Sequence, residues 1–95
     1  MATKIPIIVD CESKLNLNKN KYIVPDTFEV SQFLYIIRKR LNMSATDAIF
    51  VFIDSDTHGS KLITASTMLK EIYHKYKEED NFLYLKVLKE NTFGN

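Results

Sequence analysis

Cys11, His58 and His74 are the side chains best suited to nucleophilic or metal chemistry in this sequence. A cysteine nucleophile needs a base within reach, and a structural zinc site needs about four ligands. One thiol and two distant histidines match neither pattern, so Cys11 reads as a strand-end side chain and no metal is expected. A single cysteine cannot close an internal disulfide, which suits a cytosolic compartment. Only two glycines occur, Gly59 and Gly94, so a glycine-rich phosphate cradle cannot be assembled. With no nucleophile–base pair, metal cluster or phosphate loop, the expectation is a protein that is not an enzyme and uses no cofactor.

The remaining chemistry is that of binding and of the tail. After Leu88 the chain ends Lys89-Glu90-Asn91-Thr92-Phe93-Gly94-Asn95. Taken bare, this is a frayed terminus. The functional alternative is that Gly94, lacking a Cβ, threads a narrow channel and offers its carbonyl to a cysteine of another protein.

The 95 residues make one small domain, with 13 Lys and Arg against 12 Asp and Glu and a formal net charge of +1. Nothing global steers such a chain to nucleic acid, so no nucleic-acid partner is expected. Hydrophobic residues at 45% and charged residues at 26% are ordinary for a folded domain. Few apolar-rich positions precede Asp10, too few for a signal peptide or a spanning helix, and the chain reads as soluble.

The elements that must position any site follow from periodicity. Lys4 to Asp10 is β-branched and reads as a first strand, with Pro6 suiting an edge or an opening position. Lys21-Tyr22-Ile23-Val24, stopped by Pro25-Asp26, forms a hairpin-like partner. Val30, Leu34, Ile37 and Leu41 share a helical core line, with Arg38, Lys39 and Arg40 in the last turns, where cations suit the dipole. Ala48 to Ile53 is a buried-type strand, Asp54 to Lys61 a loop, and Leu62-Ile63 a short strand. Ser66 or Thr67 can cap a second helix carrying Leu69, Ile72, Tyr73 and Tyr76 on one face. Phe82 to Leu88 is the last strand. The order implies an α+β fold, a ubiquitin-like β-grasp: a mixed four-to-five-stranded sheet with one main helix across one face and a second, shorter helix. Residues 1–88 form the domain and residues 89–95 a flexible tail.

More apolar surface is present than one core needs. Phe33 and Ile36, followed by Arg40, form a second stripe on the main helix. In the second strand Tyr22 and Val24 face one way and Lys21 and Ile23 the other, so both faces carry large side chains. The first strand splits into Ile5, Ile7, Val9 and Pro6, Ile8. The last splits into Leu83, Leu85, Val87 and Phe82, Tyr84, Lys86, Leu88. Apolar patches rimmed by Lys and Arg beside a strand edge suit peptide capture by β-addition, whereas the bland alternative is a thick core or a homodimer interface.

Read together, Lys4-Ile5-Pro6-Ile7-Ile8-Val9, Lys21-Tyr22-Ile23-Val24-Pro25, the segment Val30 to Leu41, Ala48 to Ile53 and Phe82-Leu83-Tyr84, closed by Thr92-Phe93-Gly94, resemble the autophagy ubiquitin-like modifiers of the GABARAP and microtubule-associated light-chain family. The resemblance covers nearly the whole chain. It implies that a processing cysteine protease removes Asn95 after Gly94, with Phe93 flanking. E1-like and E2-like enzymes then carry Gly94 as a thioester to phosphatidylethanolamine, taking a cytoplasmic protein to the autophagosome membrane. The anchored protein recruits receptor proteins through short linear motifs with an aromatic and an aliphatic residue three apart. Position by position, the aromatic pocket falls on Pro6, Ile8, Lys21, Ile23 and Phe82, and the aliphatic pocket on Tyr22, Val24, Pro25, Phe33, Ile36 and Arg40. Acidic flanks of a motif would meet Lys21, Lys39 and Arg40. The alternative is a non-conjugated β-grasp interaction module that keeps Asn95.

Family members usually carry two short helices before the first strand, whereas these 95 residues start almost at that strand. The 54–61 loop is longer than usual, and Asn81 stands where glycine is common.

Overall fold

The computed structural model describes residues 3–11, 20–40, 42–44 and 46–89. Leu41 and the tail from Glu90 to Asn95, with Phe93, Gly94 and the proposed cleavage point, lie outside the described residues.

β1 (Lys4–Cys11) and β2 (Asn20–Pro25) are followed by α1 (Val30–Arg40), β3 (Ile49–Ser55), β4 (Gly59–Ile63), α2 (Leu69–Tyr76) and β5 (Leu83–Lys89). The strands form one sheet in the order β2-β1-β5-β3-β4. β1 pairs with β5 in parallel, and the other pairings are antiparallel. This is the mixed, five-stranded α+β sheet of the β-grasp.

Period-two alternation decides the core. Ile5, Ile7 and Val9 of β1, Tyr22 and Val24 of β2, Ile49, Val51 and Ile53 of β3, and Leu83, Leu85 and Val87 of β5 are buried on one face. α1 lays Val30, Phe33 and Ile37 on that face, and α2 adds Leu69 and Ile72. Among the described residues no polar or charged side chain is buried, so apolar packing alone holds this core together.

The core stripe of α1 departs from the expected Val30-Leu34-Ile37 line. Phe33 is fully buried and Leu34 only partly, because the helix presents its i, i+3, i+7 residues to the sheet and rolls Leu34 to the flank. Neither Ser66 nor Thr67 caps α2. Its N-cap is Met68, without a side-chain hydrogen bond. The Leu69 N–H donates instead to the Phe28 carbonyl at 2.9 Å, while Val30 N–H donates to the Thr67 carbonyl at 2.9 Å. The two helix starts thus satisfy each other's exposed backbone groups.

The expected 54–61 loop is mostly strand. Asp54 pairs with Ser60 and Ser55 with Gly59, leaving Asp56, Thr57 and His58 as the turn. Gly59, at φ 77°, supplies the left-handed residue that closes such a three-residue turn. Asn81 at φ 69° holds the left-handed corner before β5, a conformation that asparagine tolerates better than most residues with a side chain. Its carbonyl accepts the Tyr73 hydroxyl at 2.8 Å, which fixes the corner against α2.

Candidate functional site

β2 is an edge strand, paired only with β1 among the described residues, so one side of its backbone is open to a further strand. Two apolar surfaces flank that edge. On the face away from α1, Ile23 lies opposite Pro6 and Lys21 opposite Ile8. Phe82 immediately precedes β5, and the Lys21 ammonium stands 5.2 Å from the Phe82 ring centre. Ile23 is 57% exposed, which leaves its apolar side chain open to solvent beside the free β2 edge. The five residues assigned to the aromatic pocket therefore lie on one face, with Lys21 as a cationic cover.

The other six meet at the seam between β2 and α1, but not as the expected spare surface. Tyr22 at 9%, Val24 at 4% and Phe33 at 0% exposure are core side chains. Tyr22 and Phe33 pack edge to face with ring centres 5.4 Å apart. The stripe expected to be surplus is the stripe that closes the core, because α1 sits directly over β2. At the seam Pro25 and Ile36 stay half-buried and Arg40 exposed, its guanidinium 5.6 Å from the centre of the Tyr22 ring.

The basic run at the end of α1 divides into separate jobs. Arg38 donates to the carbonyls of Asp47 and Ser44, clamping the segment that leads into β3. Lys39 lies over the Tyr35 ring at 5.1 Å and Arg40 over Tyr22, which leaves these two exposed cations at the rim.

Two features escaped the periodicity. One is an acidic concavity of about 660 Å³, lined by Asp10, Asp54, Asp56, Glu78, Glu79 and Asp80 from three segments distant in sequence. The other is a smaller hollow on the outer side of α1, lined by Phe28, Ser31, Gln32, Tyr35 and Ile36. The 28, 31/32, 35/36 spacing was available as a signal, but it overlaps the core stripe and is hidden by it.

Within the acidic concavity the Tyr84 hydroxyl donates to the Asp80 carboxylate, which also accepts the Phe82 N–H at 3.0 Å. These bonds, the Tyr84 one first, hold the Asp80 carboxyl below its ordinary 3.8, and the Asp80 bond raises Tyr84 above its ordinary 10.0. Asp80's contribution to stability is present above its unfolded value and lost as pH falls through its lowered folded one. Tyr84's is present below its ordinary value and lost as pH rises through its raised one. The pair is therefore intact across the neutral range. Tyr84→Phe is expected to return the Asp80 carboxyl toward its ordinary value in a side-chain NMR titration; an unmoved midpoint would mean that the Phe82 N–H alone sets it.

Among the described residues no group of three or more His, Cys, Asp and Glu could hold a metal ion, and no helix is long and apolar enough to cross a membrane. What the geometry does offer is chemistry of capture. Along an extended segment laid on β2, residues three apart point to opposite faces, so one side chain reaches the Ile23 face and the other the Ile36 seam.

The family model described as autophagy protein Atg8, ubiquitin-like, matches residues 1–94. Autophagy-related protein 8e of Arabidopsis thaliana is 42% identical over 94 residues, covering 96% of this chain and 73% of the plant protein. Autophagy-related protein 8 of Coccidioides immitis is 39% identical over 97 residues, covering 99% of this chain and 79% of the fungal one. The crystal structure of Trypanosoma brucei ATG8 superposes with a TM-score of 0.78 at 34% identity, over 96% of this chain and 77% of that one.

Proposed function

The chain belongs to the Atg8 family of autophagy ubiquitin-like proteins, and on that premise we propose that it is a conjugated modifier that acts as a membrane-bound adaptor. A processing cysteine protease attacks the Gly94 carbonyl and releases Asn95. An E1-like enzyme adenylates the new carboxylate with ATP, releasing pyrophosphate; its cysteine thiol displaces AMP, and the resulting thioester passes to the cysteine of an E2-like enzyme. The amine of phosphatidylethanolamine displaces the thiol, leaving an amide at Gly94. Two acyl chains anchor a protein stably where one binds only marginally, so this step moves a cytoplasmic domain onto the autophagosome membrane.

Once anchored, the domain recruits receptors whose motif carries an aromatic and an aliphatic residue three apart. The observation that carries this part is the open β2 edge with apolar surface on both sides, Ile23 beside Lys21 and Phe82 on one, Ile36 beside Pro25 and Arg40 on the other. The motif's aromatic side chain takes the face of Pro6, Ile8, Lys21, Ile23 and Phe82. Its aliphatic side chain enters the seam at Pro25, Ile36 and Arg40, where buried Tyr22, Val24 and Phe33 form the floor. Lys21, Lys39 and Arg40 attract acidic flanks, so affinity falls with added salt.

Intact mass of the protein from membrane and soluble fractions of starved cells tests the conjugation. Loss of Asn95 and a phosphatidylethanolamine adduct on Gly94 are expected in the membrane fraction, and Gly94→Ala abolishes the adduct while motif binding persists. Asn95 retained in every fraction would make the protein a non-conjugated interaction module.

A further inference from the structure

The first amides of a helix have no acceptor within it, and a side chain or water commonly takes them. Here each helix start finds its partners in the other. Val30 and Ser31, the first two residues of α1, donate their N–H groups to the Thr67 and Ala65 carbonyls at 2.9 Å each, and Leu69, the first of α2, donates to the Phe28 carbonyl at 2.9 Å. Glu29 and Met68 form an antiparallel bridge in the middle of this exchange. Phe28 in turn donates its own N–H to the Pro25 carbonyl at 3.2 Å. Backbone bonds thus link the end of β2, at the aliphatic seam, to the start of α2.

α2 is held by little of its own. Its eight residues are too few for a helix that is stable alone, and it buries only Leu69 and Ile72. Its far end is tied by surface bonds, the Tyr73 hydroxyl to the Asn81 carbonyl at 2.8 Å and the Thr57 hydroxyl to the Glu78 carboxylate at 3.0 Å. Segments held in this way open as units before the whole domain unfolds. When this one opens, Val30 and Ser31 lose their acceptors and the Phe28 carbonyl loses its donor. The buried cluster that contains Phe33, the floor of the seam, loses Leu69 and Ile72.

We infer that the paired helix starts are a conformational coupler: residues 64–82 open as one unit, the start of α1 opens with them, and the aliphatic seam captures a motif only while α2 is docked. The inference rests on the proposed motif binding and deepens it, by naming what regulates the seam. By linkage, capture holds α2 in place to the same extent that release of α2 weakens capture. A partner or modification that acts on residues 64–82 therefore changes receptor capture without touching the β2 edge.

Amide hydrogen exchange of the whole chain, followed by NMR in urea below the unfolding transition, tests the unit. Val30 and Ser31 are expected to share the opening free energy of Leu69 and Ile72, below that of Ile37 in α1 and Val9 in β1. Val30 and Ser31 exchanging with Ile37, or Leu69 exchanging only with Val9, would overturn it. The coupling is read by adding a synthetic peptide that carries an acidic flank and the aromatic-x-x-aliphatic motif, its affinity measured by calorimetry. With free peptide at about a hundred times its Kd, exchange at Val30, Ser31 and Leu69 is expected to slow about a hundredfold, because the open form does not bind. Slowing by less than about tenfold at Leu69 with the peptide bound would overturn the coupling while motif binding stands. Failure of the peptide to bind would overturn the motif reading and the coupling built on it.

Discussion

Phe33→Ala is expected to lower the free energy of unfolding by about 3–5 kcal/mol, a large share of the total for a domain of this size. Phe33 is completely buried and packs edge to face on Tyr22, so truncation removes both the transferred apolar surface and the ring contact and leaves a cavity at the α1–β2 seam. Tyr22→Ala combined with Val24→Ala should be comparably costly, for the same reason. Urea denaturation monitored by circular dichroism measures the loss. A shift below about 1 kcal/mol would place Phe33 on the surface and return the seam to the status of a free pocket. The consequence for binding studies is direct. Alanine at Tyr22, Val24 or Phe33 that abolishes peptide capture also removes core, and it cannot by itself assign a pocket.

The sheet was legible in the sequence because period-two alternation is unambiguous where one face is fully buried. Leu83, Leu85 and Val87 separate cleanly from Phe82, Tyr84, Lys86 and Leu88, and the structure buries the first set. α1 was less legible. Two apolar stripes, Val30-Leu34-Ile37 and Phe33-Ile36, differ by one residue in phase, and the helix rotation that chooses between them is set by contact with β2. The start of α2 failed for a related reason. Local side chains suggested a cap at Ser66 or Thr67, whereas the acceptor for Leu69 N–H comes from Phe28, a long-range contact that no local pattern contains.

The candidate site divides along the same line. Ile23 was legible as surplus because it lies out of phase with Tyr22 and Val24 on a strand with one partner. The acidic concavity was not, since the β1–β5 and β5–β3 pairings bring Asp10 near Asp54, and Glu78 joins them through its N–H to the Phe82 carbonyl and its carboxylate to the Thr57 hydroxyl, all long-range contacts or turn bonds that no local pattern contains. The hollow beside Tyr35 was masked by the stronger helical signal of the core.

Ile23→Asp is the substitution that separates binding from folding. Ile23 is 57% exposed on an edge strand, so its loss removes no core; the cost to stability is the lower strand preference of aspartate, at most about 1 kcal/mol. Capture of an aromatic-x-x-aliphatic peptide should weaken by more than about tenfold, because the aromatic anchor loses its apolar neighbour and the peptide's acidic flank meets a new carboxylate beside Lys21. Phe50→Asp is the matching control. Phe50 is 40% exposed on the same outer face, but on β3, with β1 and β5 between it and β2. If the outer face bound peptides through apolar stickiness alone, the two substitutions would weaken capture alike. Capture lost with Ile23→Asp and kept with Phe50→Asp would tie binding to the β2 edge, where exposed Ile23 lies opposite Pro6 on the same face as Lys21 and Phe82 and where a strand can still be added.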